Sequence, residues 1–161
     1  MKKTVLRVTN LRKVYRDLTA VDGVSFAVQR GEIFGLLCPN GAGKTTILEC
    51  LEGIRRPDGG TMEIMSVDPA RDPHRLRNLI GVQLQSSGLP ATMTVREAMR
   101  FFCAYHDVSP RYDLIERLGL APKQDVQYEK LSTGQQRRLA LALAMAHRPP
   151  VIFLDEPTAG L

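Results

Sequence analysis

The segment Cys38, Pro39, Asn40, Gly41, Ala42, Gly43, Lys44, Thr45, Thr46 constrains this chain more than any other. Before it stands IFGLL (33–37), a continuous apolar run of the kind expected for a strand buried on both faces of a parallel sheet. After it, Ile47, Leu48, Cys50, Leu51 and Ile54 recur at helical spacing. Strand, glycine loop and helix are therefore expected in that order. Glycines let consecutive backbone N–H groups turn inward around an anion, and the helix that follows directs its partially positive N-terminus at the same point. Such a loop suits a polyphosphate, with Lys44 reaching the β- and γ-phosphates and the Thr45 hydroxyl offered to Mg²⁺. The full pattern is G-x-x-x-x-G-K-[ST], and Cys38 stands at its first glycine. A Cβ there costs energy if the position needs a positive φ, so weakened rather than abolished anion binding is expected.

The rest of the chain reads as one α/β domain of 161 residues, with 43% hydrophobic and 24% charged residues. Residues 4–9 (TVLRVT) and 24–29 (VSFAVQ) alternate as half-buried strands do, and another short strand is expected around TMEIM after the Pro57–Gly60 turn. LIGVQL (79–84) and VIFL (151–154) read as further buried strands. Between them the texture is helical. Thr94 and Glu97 have capping-box spacing ahead of Val95, Met99, Phe102 and His106 on one face. Leu114, Ile115 and Leu118 mark another helix, with Gly119 placed just past its end. Ser132 and Gln135 open a third helix whose LALALAMA run (139–146) is apolar almost all round and so expected to be buried; Pro149-Pro150 ends it. A helical subdomain over about 86–147, inserted into the α/β core, is the expected organisation.

VIFL delivers Asp155 and Glu156 to the C-terminal edge of the sheet, where open α/β sheets bind ligands. Asp155 suits Mg²⁺, which favours carboxylate, phosphate and water oxygens. Glu156 could orient or deprotonate a water that attacks the γ-phosphate. The net charge of +5 is compatible with an anionic ligand or an acidic membrane surface, and equally with solvated helix faces. No run approaches the roughly 18 apolar residues of a spanning helix, and the basic N-terminus has no apolar stretch behind it. Three cysteines without metal spacing fit a reducing compartment, with Cys50 and Cys103 expected in the core.

Leu131, Ser132, Thr133, Gly134 and Gln135, standing ahead of VIFLDE, complete a resemblance to the nucleotide-binding domains of ATP-binding-cassette (ABC) proteins. By themselves Ser132 and Gln135 are only a capping box; their place ahead of the acidic pair gives them a second meaning. The resemblance implies a P-loop NTPase core with N-terminal antiparallel strands, ATP and Mg²⁺ as ligands, and ATPase activity with Glu156 and Gln85 as catalytic residues. It implies Mg²⁺ contacts from Thr45, Gln85 and Asp155, and Tyr15 stacked on adenine. Gln83 competes with Gln85 for the glutamine role. The 131–135 segment would face the γ-phosphate of ATP on a second copy, so that two domains sandwich two nucleotides. Partners are then a second nucleotide-binding domain and a transmembrane permease subunit, with no nucleic acid expected. The location would be cytoplasmic, on the inner face of the cell membrane. The stretches ECLEGIRRPDGG and Gln85 through TVREAM most resemble the branch that exports drugs, antibiotics or polysaccharides.

Within that family, Leu161 falls before the D-loop aspartate and the switch histidine, so a C-terminally incomplete domain without its last core strands is expected. A nucleotide-binding module without efficient turnover, and part of a soluble family member acting on ribosomes or DNA, are the alternatives.

Overall fold

The computed structural model describes residues 3–37, 43–83 and 88–155. The chain divides into two compact units, Met1–Leu79 and Ile80–Leu161, and each is described by itself.

The first unit is built on a three-stranded antiparallel sheet in the order β2-β1-β3. Strand β1 spans Thr4–Tyr15, β2 Leu18–Gln29 and β3 Gly59–Ile64. Both long strands run well past the stretches whose alternation is visible in the sequence. The reason is local: the β1–β2 register shifts between Val8 and Leu11, and Asn10 takes a left-handed φ of 50°. Such bulges break a strict period of two without ending the pairing. The Asn10 N–H is satisfied by Ser25 Oγ at 2.7 Å. Helix α1, Lys44–Leu51, buries Ile47, Cys50 and Leu51, and Val5, Leu6, Val8, Leu11, Met62 and Ile64 fill the sheet side of this unit. The helix stops before Gly53, whose φ is 71°, so Ile54 points to solvent instead of continuing the apolar face as its spacing predicts. A short α2, Pro73–Arg77, is capped by Asp72.

IFGLL differs most from expectation. Residues 32–37 carry no strand ladder, and Ile33, Phe34 and Leu37 are exposed. An apolar run becomes a strand only where a neighbour supplies hydrogen bonds, and among the described residues none pairs with it. Phe34 instead lies flat on Phe26 of β2, ring centroids 5.1 Å apart.

In the second unit β4, Ile80–Gln83, pairs in parallel with β5, Val151–Leu154, from Ile80 opposite Val151 to Gln83 opposite Leu154. The expected burial of β5 on both faces is not observed: Phe153 is buried, while Ile152 and Leu154 are exposed. Between the strands come α3 (Val95–Tyr105), α4 (Tyr112–Arg117) and α5 (Thr133–Ala144). They share one apolar cluster that includes Val95, Met99, Cys103, Ile115, Leu120 and Leu139. Gly81 lets α5 lie directly on β4, since a Cβ there would run into the Ala144 carbonyl. Gly119, with φ 68°, follows the last turn of α4 as its position suggested. Among the described residues, no helix is long and apolar enough to cross a membrane.

Candidate functional site

The candidate residues fall in both units, and each group is built up separately. In the first, Gly43 is the residue from which α1 starts. Its φ of 87° is left-handed, and a Cβ would collide with the Ala20 carbonyl of β2, so only glycine fits. Gly43 has no side chain, so among the described residues the first N–H groups of α1 receive no side-chain cap; the first helical bond runs from Ile47 N–H to the Gly43 carbonyl at 2.9 Å. No acidic residue lies in the first turn. The open donors and the helix dipole favour an anion at this helix start, where Lys44 is the first helical residue. Thr45, the next residue of the helix, is exposed. Thr46 faces the other way, its Oγ1 3.5 Å from the Tyr15 hydroxyl. The fold therefore brings Tyr15, at the end of β1, to the first turn of α1. Cys38, Pro39, Asn40, Gly41 and Ala42 lie outside the described residues.

Two cations attend Tyr15 that the sequence reading did not single out. The Arg55 guanidinium lies 5.2 Å and the Lys13 ammonium 5.6 Å from the ring centroid. Arg55 is anchored by Glu49 at 2.6 Å and Lys13 by Asp58 at 3.0 Å. The Val14 N–H and the Lys13 ammonium hold the Asp58 carboxyl below its usual range. The bond to Glu49 raises Arg55 further still. Cys50, buried beneath, has its thiol pKa pushed up mainly by burial, so it is a packing residue rather than a nucleophile.

In the second unit, Asp155 follows β5 directly, and its N–H donates to the Gln83 carbonyl at 3.1 Å, extending the parallel ladder by one bond. Gln83 is buried within β4, whereas Asp155 is half-buried at the strand end. Gln85 and Glu156 lie outside the described residues. The 131–135 segment has the form the spacing predicts. Leu131 is buried in the helical cluster; Ser132 Oγ accepts from the Gln135 N–H at 3.3 Å, and Gln135 Oε1 accepts from the Ser132 N–H at 2.9 Å. Ser132 and Thr133 are exposed, Gly134 is half-exposed, and a Cβ on Gly134 would meet nothing within 4 Å. The helix start is thus an uncluttered, donor-rich surface. The Thr94–Glu97 box on α3 is equally complete, and its bonds to Thr94 hold the Glu97 carboxyl below its usual range.

Residues 21–159 match the family described as "ABC transporter". A Nod factor export ATP-binding protein I of Ralstonia nicotianae is 40% identical over 98% of this chain and 51% of its own length. Its namesake in Burkholderia thailandensis is 43% identical over 94% of the chain and 52% of its own length. The chain thus spans about half the length of these curated relatives. Among solved structures, an ATP-binding subunit of an ABC transporter superposes with a TM-score of 0.89 at 25% identity, covering 98% of this chain and 68% of that one. The Clostridium perfringens protein cbiO1, described as part of the ABC transporter complex cbiONQ, gives 0.85 at 29% identity, over 99% and 68%.

Proposed function

The chain belongs to the ABC transporter family, and on that premise we propose that it binds Mg-ATP and, in its complete dimeric form, hydrolyses it to drive export through a separate membrane subunit. The observation that carries the reading is the start of α1, where a left-handed glycine leaves the first turn uncapped beside Lys44 and Thr45. A helix that spends its own cap in this way gains most when an anion supplies the missing acceptors.

In this reading Lys44 and the first N–H groups of α1 bind the phosphates, and Tyr15 stacks on adenine. The metal would be held by Thr45, Gln85 and Asp155, and when bound it neutralises charge on the phosphate oxygens. Glu156 orients and deprotonates the attacking water. Ser132 and Gly134, at the exposed start of α5, would bind the nucleotide of a second copy, which makes the active form a head-to-tail dimer. Its relatives among Nod factor export ATP-binding proteins support export as the direction of transport. The membrane subunit would choose the cargo and hold the protein at the inner face of the membrane.

The decisive experiment is a thermal melt with and without Mg-ATP, run on the chain and on Lys44→Ala and Glu156→Gln, with turnover measured in parallel. A ligand at a hundredfold excess over Kd stabilises the folded state by about 2.7 kcal/mol. The chain and Glu156→Gln are expected to show that shift and Lys44→Ala to lose it, while turnover is lost in both variants. Unchanged turnover in Glu156→Gln would reject the catalytic assignment, and an undiminished shift in Lys44→Ala would reject the phosphate site.

A further inference from the structure

We propose that Arg55 is a positioning residue for the nucleotide base: with its anchor Glu49, it holds the Tyr15 ring through one of its faces and ties the base platform to helix α1. The proposal rests on the reading of Tyr15 as the base-stacking residue and adds a second tier behind it.

The geometry is specific. The Arg55 guanidinium centre stands 5.2 Å from the Tyr15 ring centroid, within the range where a cation is drawn to an aromatic face. A guanidinium is planar and weakly hydrated, which suits it to lie against a ring while still bonding a carboxylate. Its Nε donates to Glu49 Oε2 at 2.6 Å, and the Arg55 N–H also reaches the Glu49 carbonyl at 3.1 Å. Glu49 belongs to α1, as does Thr46, whose Oγ1 lies 3.5 Å from the Tyr15 hydroxyl. Tyr15 is therefore gripped twice by one helix: at its hydroxyl through Thr46 and at its ring through Glu49 and Arg55. The same helix begins at Gly43 and Lys44.

The backbone makes this support necessary. Tyr15 is the last residue of β1, followed at once by Arg16 with a left-handed φ of 50°. A half-exposed ring at a strand end would otherwise sample several rotamers, and a base would have to select one of them. A ring already held in place spares the complex that ordering cost. Lys13, 5.6 Å from the same ring, is turned toward Asp58 at 3.0 Å and so is committed to the turn before β3. Arg55, bound to α1 itself, is the cation that links base and phosphate ends.

The test separates base from phosphate. Affinities for Mg-ATP and for Mg-tripolyphosphate, which has no base, are measured for the chain, Arg55→Ala, Arg55→Lys, Glu49→Gln, Tyr15→Ala and Tyr15→Ala/Arg55→Ala. Arg55→Ala is expected to weaken ATP about fivefold, in line with an aromatic-cation contact at a partly exposed site, and to leave tripolyphosphate unchanged. Glu49→Gln should show a smaller loss of the same kind, and Arg55→Lys should recover part of the loss. In the Tyr15→Ala background, Arg55→Ala should cost nothing more. Equal losses on both ligands, an undiminished loss without Tyr15, or no loss in any background would overturn the role while leaving the Tyr15 reading intact. If Tyr15→Ala itself leaves ATP affinity unchanged, the stacking reading fails and the Arg55 proposal falls with it.

Discussion

Helix α1 begins at a left-handed Gly43 with no side-chain cap, whereas α5 begins at Ser132, which exchanges bonds with Gln135 in a complete capping box. The two starts solve the same problem differently. Every helix leaves its first N–H groups without intrahelical partners. In α5 the chain supplies acceptors for two of these N–H groups from its own side chains, Ser132 and Gln135. In α1 the glycine that admits the close approach of the Ala20 carbonyl cannot also cap. Its donors are left for something else. In the reading proposed above, this difference separates the phosphate site at α1 from the surface offered to a second copy at α5.

Gly43→Ala gives the largest expected effect on this contrast. The added Cβ is strained at φ 87° and meets backbone rather than a yielding side chain. A loss of about 2 kcal/mol in unfolding free energy by denaturant titration is expected, with the Mg-ATP-induced shift in melting also lost. If stability falls and the nucleotide response survives, the open start of α1 is a packing requirement alone and the contrast with α5 loses its functional meaning.

Ser132→Ala sharpens the other side. Removing a capping hydroxyl costs about 1 kcal/mol, and Thr94→Ala on α3 has the same expected cost because its box is built the same way. The two differ in what else they touch. If the proposed dimer forms, Ser132→Ala should also slow its turnover, whereas Thr94→Ala should change melting only. Equal turnover in the two variants, at matched stability, would reduce the α5 start to an ordinary cap.

Which of these features the sequence displays follows from how far apart their partners lie. Capping boxes are contacts between residues three apart, so Thr94–Glu97 and Ser132–Gln135 were legible, as was the VIFL strand from its bounding prolines and acidic residues. Strand identity for IFGLL depends on a ladder partner remote in sequence, and apolar content says nothing about whether one is in place. Buried and exposed faces of β5 were misjudged for the same reason. The full lengths of β1 and β2 were hidden by the bulge at Asn10, which interrupts alternation but not pairing. Tyr15 was visible as a candidate, yet its attendants Lys13 and Arg55 were not. Arg55 reaches the ring only because the turn after α1 brings it back to Glu49 and the end of β1. A basic pair ahead of Pro57 carries no local mark of that fold.

The smallest expected effect lies at the far end of α5, and it extends the same argument from helix starts to helix ends. His147 follows this helix, its ring stacked on that of His106 with centroids 3.8 Å apart and an interplanar angle of 7°. Its Nε2 lies 3.1 Å from the Ile80 carbonyl, a bond the neutral ring makes as a donor, while the buried Nδ1 has no hydrogen-bond partner. Protonation would put a second N–H on Nδ1 with nothing to accept it, beside a second imidazole. Burial first, then the neighbouring His106, hold the His147 pKa below its ordinary value, and burial alone does so for His106. Both rings therefore bind protons more readily in the unfolded chain than in the folded one. Stability should be full above the ordinary histidine pKa of about 6.5 and fall as pH drops below it, until the folded-state values are passed. His147→Gln, which keeps an N–H donor and removes the titrating ring, should flatten the pH dependence of the melting temperature between neutral and mildly acid conditions. It should leave the Mg-ATP response at neutral pH unchanged. An unaltered acid slope in that variant would show that the end of α5 is not where this part of the chain meets protons.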